Sequence, residues 1–172
     1  MPFHPTPLPQ VRLYEPRLFH DQRGYFFESF NARVFQQVGL NRPFVQDNQA
    51  RSTYGVLRGM HFQTGEHAQA KLVRVIEGEV YDVVVDLRPE SETYKKWFGT
   101  YLTGDNNLQL YVPRGFAHGY LVTSEIAVFA YKCDNYYAPE AEAGIRYDDP
   151  EIGIEWPEVK GGYIVAERDL GW

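Results

Sequence analysis

Short runs of apolar and β-branched residues, separated by clusters of Gly, Pro and polar residues, cover most of the chain. Such runs are typical of strands, and their near-regular spacing with little helical periodicity predicts a mainly β sandwich or barrel. The predicted strands are residues 11–18, 25–30, 71–76, 79–87, 94–103, 108–112, 116–122 and 126–132.

The clearest hairpin is predicted to join two of these runs across Glu77-Gly78. A two-residue loop would set Lys71 opposite Val84 and would make Lys71 and Asp82 diagonal neighbours on one face. That face carries charge among valines, and the other face is not purely polar either. We therefore expect a sheet covered on both sides, or a barrel whose interior is partly polar.

One short helix is predicted at residues 32–38. Asn31 has the short polar side chain that favours a helix N-cap. Phe30 and Phe35, on either side of that cap, have the spacing of a hydrophobic staple. Gly39 suits the helix end because glycine adopts the left-handed conformation at little cost.

Composition and charge narrow the function classes. The 172 residues fit one domain spanning 1–172, and 16% aromatic residues with 15 Gly and 11 Pro favour a β-rich domain with many turns. The net charge of -6 argues against nucleic acid or an anionic membrane as partner, so an anionic ligand needs a local cationic cluster. Cys133 is the single cysteine, which rules out an intrachain disulfide. The Pro-rich start lacks the apolar segment of a signal peptide, and no run approaches ~20 apolar residues, so we expect a cytoplasmic protein.

Charged residues within strand-like sequence mark the candidate site. Arg58, His61 and Lys71 lie among apolar residues in the stretch 55–75, where burying charge is costly unless it is paired or used. A histidine exchanges protons near neutral pH, and a nearby lysine can stabilise negative charge on a substrate oxygen. His118, also beside a glycine in strand-like sequence, strengthens the case for a site over a structural histidine.

Cationic and polar residues offer a way to hold an anionic ligand. Arg23 and Arg58 each precede a glycine, which lets a backbone approach a ligand closely. Two arginines converging on a diphosphate would give bidentate hydrogen bonds. Scattered surface charge explains Arg23, Arg58, Arg74 and Lys71 equally well. The polar residues 43–52 predict either a solvated loop or the lining of a polar pocket.

A metal site is the alternative for the histidines. Jelly-roll barrels of the cupin type often carry a His-x-His pair, and here the second position of that pair is Gln63. His61, His67 and His118, with Glu66 near by, remain an alternative ligand set for Fe, Mn or Zn. The missing histidine argues against metal binding.

Seven segments of the chain together carry a family resemblance, and they are residues 19–28, 46–48, 55–63, 69–75, 113–119, 131–132 and 149–157. In these segments the chain resembles the dTDP-4-dehydrorhamnose 3,5-epimerase family. They cover nearly the whole chain in order. The resemblance implies a cupin-type jelly-roll β-barrel with one or a few short helices. It also implies a homodimer that uses no cofactor and no metal.

The resemblance also implies roles for individual residues. His61 matches the family's general base, and Asp169 the carboxylate that orients it. Tyr131 is similar to the tyrosine that returns a proton from the opposite face, and Lys71 matches the residue near the sugar O4. Family contacts to the nucleotide sugar fall at Phe19, Arg23, Glu28, Gln46, Asn48, Arg58, His118, Tyr137, Glu142 and Arg168, the last standing where a lysine is expected.

The expected reaction is epimerisation of a dTDP-4-keto-6-deoxyhexose at C3 and C5 through an enolate, in dTDP-rhamnose or related deoxysugar biosynthesis. One alternative is a mono-epimerase that inverts C3 or C5 only. Alternatives from other classes are a metal-dependent cupin oxygenase and a non-catalytic module that binds sugar nucleotides.

Overall fold

The computed structural model describes residues 2–172 and contains, within that range, fourteen strands, one α-helix and three 3₁₀ turns. The strands are β1 (Phe3–Pro5), β2 (Arg12–Tyr14), β3 (Phe19–Asp21), β4 (Gly24–Phe26), β5 (Gln46–Thr53), β6 (Val56–Gln63), β7 (Lys71–Glu77), β8 (Glu79–Asp86), β9 (Trp97–Thr103), β10 (Gln109–Val112), β11 (Phe116–Val122), β12 (Ile126–Cys133), β13 (Glu142–Gly144) and β14 (Ile164–Val165). The helix α1 is Ala32–Gln36, and the 3₁₀ turns are Gly65–His67, Pro139–Ala141 and Glu167–Leu170.

Two sheets pack face to face and enclose the core. The first sheet has the order β1-β2-β10-β7-β12-β5, and the second has the order β13-β6-β11-β8-β9, with β14 added parallel to β6. Val73 and Phe129 of the first sheet and Val80 and Val84 of the second belong to one buried apolar cluster. The predicted mainly β jelly-roll architecture is confirmed.

The predicted hairpin between 71–76 and 79–87 is wrong. Strand β7 pairs with β10 and β12 in the first sheet, whereas β8 pairs with β11 and β9 in the second. At Gly78 (φ +81°) the chain crosses between the sheets instead of turning back on itself. Both strands carry apolar residues on both faces, which is typical of strands inside a sheet that pair on each side. Their adjacency in sequence does not say which strands they pair with. Lys71 therefore reaches Asp82 across the interior, and not along a shared sheet.

The predicted helix is present and two residues shorter than expected. Asn31 caps it, with Oδ1 accepting a hydrogen bond from the Arg33 backbone N–H at 3.1 Å. The ring centroids of Phe30 and Phe35 lie 5.0 Å apart, which is the expected staple. No helix in residues 2–172 has the length and apolar character needed to span a membrane.

Residues 43–52, predicted as loop or pocket lining, mostly form strand β5. Its residues alternate in exposure and pair with β12, with Asn48 opposite Tyr131. A polar strand is stable here because its inward side chains face a polar cavity instead of the apolar core.

Two glycines let β6 and β11 approach closely beside the site. A Cβ on Gly59 (φ +123°) would lie 2.6 Å from the Gly119 Cα, closer than side chains allow. The pairing register shifts here, between His118 opposite His61 and Tyr120 opposite Arg58. The close approach brings together four polar side chains of these two strands that line one cavity, namely Arg58, His61, His118 and Tyr120.

Candidate active site

Two adjoining cavities between the sheets form the candidate site. Their volumes are about 310 and 330 Å³, and His61, Lys71, Tyr131 and Arg168 line both. We name the cavity of about 310 Å³ the Glu142 lobe and the cavity of about 330 Å³ the Arg58 lobe, each after a residue that lines it and not the other. The Glu142 lobe is also lined by Gln46, Asn48, Phe62, Gln63, Gln69 and Tyr137. The Arg58 lobe is also lined by Ala50, Val56, Leu57, His118, Gly119, Tyr120, Phe129, Ile164, Val165, Ala166 and Asp169.

His61 is held by the carboxylate of Asp169. The distance from His61 Nε2 to Asp169 Oδ1 is 2.8 Å, and Asp169, only 2% exposed, also accepts a hydrogen bond from the Gly59 N–H. Burial lowers the pKa of His61, and Asp169 only partly offsets this effect. The ring is therefore neutral at pH 7. With Nε2–H donated to the carboxylate, Nδ1 is left as a free base.

Lys71 enters the cavity from the other sheet. Its pKa is lowered because its ammonium group is removed from water, although Cys133, Asp82 and Glu142 act in the opposite direction. Nζ lies 5.9 Å from the centre of the Tyr131 ring. A poorly solvated cation at this place favours any negative charge that develops in the cavity.

Tyr131 faces His61 across the cavity. It lies on β12 of the first sheet, whereas His61 lies on β6 of the second, and both side chains line both lobes. Burial is the main cause that raises the pKa of Tyr131 to about 12. The phenol therefore keeps its proton at neutral pH and can act as a donor.

Sequence reasoning missed Asp82, a buried carboxylate behind the Arg58 lobe that is hydrogen-bonded to His118. His118 Nε2 lies 2.9 Å from Asp82 Oδ2, and both residues are buried. Arg58 Nε donates to Ser52 Oγ at 3.1 Å. Asp82 escaped notice as a site residue because its partner comes from β11, a strand distant in sequence.

Five predicted sugar-nucleotide contacts form one wall of the Glu142 lobe. Gln46 donates to Asn48 Oδ1 and accepts from the Tyr137 N–H. Tyr137 Oη donates to Glu142 Oε2 at 3.0 Å, and Arg168 lies 3.7 Å from the same oxygen. The hydrogen bonds hold these side chains in place before any ligand binds.

Gln63 has a structural task at the edge of this lobe. Its Nε2 donates to the carbonyl groups of His67 and Tyr136, and its Oε1 accepts from the Ala138 N–H at 2.8 Å. Within residues 2–172, no three His, Cys, Asp or Glu side chains are grouped closely enough to hold a metal ion. The alternative ligand set of His61, His67 and His118 is thus not assembled.

Three predicted contacts lie outside both cavities. Phe19 and Arg23 belong to the β3–β4 hairpin, where Phe19 is half exposed and the Arg23 side chain is 85% exposed and paired with Asp21. Glu28 accepts a hydrogen bond from Asn31 beside α1. None of the three lines the Glu142 or the Arg58 lobe.

Comparison with known proteins identifies the family. The family model for dTDP-4-dehydrorhamnose 3,5-epimerase matches residues 5–172. The Escherichia coli K12 dTDP-4-dehydrorhamnose 3,5-epimerase is 52% identical over 165 residues, 95% of this chain and 89% of that protein. The crystal structure of the Legionella pneumophila 3,5-epimerase in complex with dTDP-4-keto-L-rhamnose is 44% identical with a TM-score of 0.95, covering 98% and 89% of the two chains.

A second group of solved structures is more distant. The Streptomyces bikiniensis 3'-monoepimerase, solved in complex with dTDP-quinovose, is 32% identical with a TM-score of 0.91, covering 98% of this chain and 85% of that chain. The family match and the identity near 50% extend over almost the entire chain. This chain therefore belongs to the dTDP-4-dehydrorhamnose 3,5-epimerase family, whose members are isomerases.

Proposed function

We propose that this chain inverts C3 and C5 of a dTDP-4-keto-6-deoxyhexose by removing and returning protons through an enolate. One observation carries the proposal. A neutral, carboxylate-held His61 on one sheet faces a protonated Tyr131 on the other, with Lys71 beside them. A sugar ring bound between the sheets would have a base on one face and an acid on the opposite face.

Proton removal falls to His61. The 4-keto group acidifies the hydrogens on C3 and C5, and Nδ1 of His61 takes one of them. Asp169 holds the ring through Nε2 and stabilises the imidazolium that forms. A positioned acid–base group of this kind contributes roughly 10²- to 10⁴-fold to the rate.

The negative charge of the enolate falls on O4, where we place Lys71. A preorganised donor at a developing oxyanion is typically worth ~3 kcal/mol. Tyr131 then protonates the carbon from the opposite face, which inverts the centre. Only protons move, so the reaction needs no redox cofactor, and Lys71 supplies the positive charge that the oxyanion requires.

The nucleotide part of the substrate needs contacts beyond the two lobes. We propose that the chain forms a homodimer in which the exposed β3–β4 hairpin of one protomer completes the site of its partner. Exposed Phe19, Tyr25 and Phe26 on that hairpin support this arrangement, since such aromatic surface is normally covered. Phe19 would contact the base or the sugar, and Arg23 with Glu28, which follows the hairpin, would contact the nucleotide sugar. We also place the protein in the cytoplasm.

The test is isotope exchange in D₂O with the dTDP-4-keto-6-deoxy sugar, followed by NMR. We expect the unmodified protein to incorporate deuterium at both C3 and C5. His61→Ala should lose exchange at both carbons while still binding dTDP, because it removes only the base. The matched control is His4→Ala, since His4 is exposed and pairs with Glu15 away from the cavities.

The other functions predict different results. Exchange at one carbon only indicates a mono-epimerase, which the similarity to the Streptomyces bikiniensis enzyme keeps as the second candidate. Binding without exchange indicates a non-catalytic module. Activity that depends on stoichiometric Fe or Mn would overturn the proposal, and so would exchange that persists in His61→Ala.

A further inference from the structure

The hydroxyl group of Tyr120 is buried without a hydrogen-bond partner. Tyr120 is only 5% exposed, and no donor or acceptor in residues 2–172 meets its Oη with hydrogen-bond geometry. Buried side-chain oxygens are nearly always hydrogen-bonded, because a buried polar group without a partner costs stability. A bound ligand that supplies the missing hydrogen-bond partner would explain why this hydroxyl group is unpaired.

The phenol ring lies in the Arg58 lobe and cannot easily turn away from it. Tyr120 lies on β11 between Arg58 of β6 and Asp82 of β8, and it lines the lobe. Its ring stacks on Phe129 with centroids 4.1 Å apart and an angle of 18° between the planes. Because Phe129 is itself buried in the core, the stack fixes the direction in which Oη points.

Among the described residues, no polar neighbour of Tyr120 meets its hydroxyl with hydrogen-bond geometry. Ser52 is near enough to lower the pKa of the phenol, but its hydroxyl is hydrogen-bonded to Arg58 Nε and is not aligned with Tyr120 Oη. Asp82 is paired with His118. Burial raises the pKa of Tyr120, so its hydroxyl remains a donor at neutral pH.

The position of the lobe identifies the part of the ligand that would meet this donor. The Arg58 lobe shares His61, Lys71 and Tyr131 with its neighbour, so its contents lie next to the groups that act on the reacting carbons. We propose that Tyr120 Oη donates a hydrogen bond to an oxygen of the bound sugar ring and is a specificity residue for the hexose. This proposal rests on the proposed function, since it takes the ligand to be the keto sugar nucleotide.

Tyr120→Phe is the test, because it removes one oxygen and keeps the stacked ring. Affinity is measured in the His61→Ala background, where no turnover occurs, for dTDP and for the dTDP-4-keto sugar. We expect the Kd for dTDP to stay unchanged and the Kd for the keto sugar nucleotide to rise about 2- to 13-fold. The kcat/KM of the single variant should fall by a similar factor. The control is Tyr111→Phe, which changes a tyrosine packed near Phe35 outside both lobes.

Stability of the free protein provides an independent readout. Tyr120→Phe removes an unpaired buried oxygen, so its melting temperature without ligand should equal or exceed that of the unmodified protein. A lower melting temperature would mean that Oη already has a partner and would overturn the proposal. An unchanged Kd for the keto sugar nucleotide would also overturn the proposal. An equal rise in the Kd for dTDP would overturn it too, because the hydroxyl would then not act on the hexose. Failure of the unmodified protein to exchange deuterium would instead overturn the proposed function, and the comparison of the two affinities would still test Tyr120.

Discussion

At the scale of single residues, burial decides the chemistry of the site. His61, Lys71 and Tyr131 are ordinary titratable residues, and removal from water favours the neutral form of each. The charged partners of each residue then modify this effect. A neutral imidazole and a protonated phenol, the forms that the proposed mechanism requires, are therefore present at the same pH.

Tyr131→Phe should separate proton exchange from inversion. His61 can still remove a proton, exchange it with solvent and return a deuteron to the same face, but no acid remains on the other face. We expect NMR in D₂O to show deuterium incorporation with retained configuration. His61→Ala serves as the comparison, since it should lose both exchange and inversion. Normal inversion by Tyr131→Phe would assign the acid to another group.

Asp169→Asn should change the pH profile as well as the rate. Burial already places the pKa of His61 below its usual 6.5, and Asp169 raises it. As the proposed base, His61 would act in its neutral form, so we expect kcat/KM to fall as the pH drops through this pKa. Removing the carboxylate should therefore shift the acidic limb to lower pH and reduce kcat/KM about 10²- to 10⁴-fold.

Glu167→Gln is the matched control for that experiment, because Glu167 belongs to the same 3₁₀ turn and carries the same charge without contacting His61. Its pH profile should match that of the unmodified protein. An acidic limb that stays in place or moves to higher pH in Asp169→Asn would show that Asp169 does not hold the base.

At the scale of elements, the C-terminal segment places part of the site. Strand β14 runs parallel to β6, and the turn after it brings Arg168 and Asp169 to the cavity. Trp172 then packs edge-on to His61, with ring centroids 6.2 Å apart. Trp172 also lies against Gly144, where a Cβ would come within 2.5 Å of the indole. The absence of a side chain at Gly144 therefore lets the C-terminal segment pack against strand β6, which carries His61.

Gly144→Ala should disturb this arrangement from outside the cavity. The added methyl group displaces the indole and loosens the segment that carries Asp169, so we expect kcat/KM to fall about tenfold while dTDP still binds. Gly171→Ala is the control, since its Cβ would lie 3.6 Å from the nearest atom, an ordinary contact. Tryptophan fluorescence reports the displacement. Equal kinetics in the two variants would show that the Trp172 contact does not position the site.

At the scale of the whole molecule, one end of the barrel interior is polar because both sheets contribute to it. The first sheet supplies Lys71 and Tyr131, and the second supplies His61 and His118. The β3–β4 hairpin stands apart as a small sheet of its own. The homodimer that we propose, with sites shared across its interface, would explain why predicted contacts lie on that hairpin.

Complementation tests the shared site. Arg23→Ala and His61→Ala chains with different tags are co-expressed, and the mixed dimer is purified. If the hairpin acts on the partner, one of its two sites is intact, and we expect about half the activity of the unmodified dimer. If the hairpin serves its own chain, every site is defective, and activity should not exceed that of the better parent.

Local patterns made part of this structure predictable. Asn31 with Phe30 and Phe35 located the helix, because a cap and a staple act between residues close in sequence. Strand runs such as 116–122 were found from their apolar residues. The hairpin at Gly78 was mispredicted because two strands, each apolar on both faces, can pair with many partners.

The sequence by itself determined the strand-rich composition, the short helix and the residue types that resemble the epimerase family. Only the tertiary structure decided that Lys71 and Asp82 come from opposite sheets, that Asp82 pairs with His118 and that Tyr120 has no partner. The physical reason is that strand pairing and burial depend on contacts between residues far apart in the chain. Charge and hydrogen bonding in the site follow from those contacts, so no local pattern contains them.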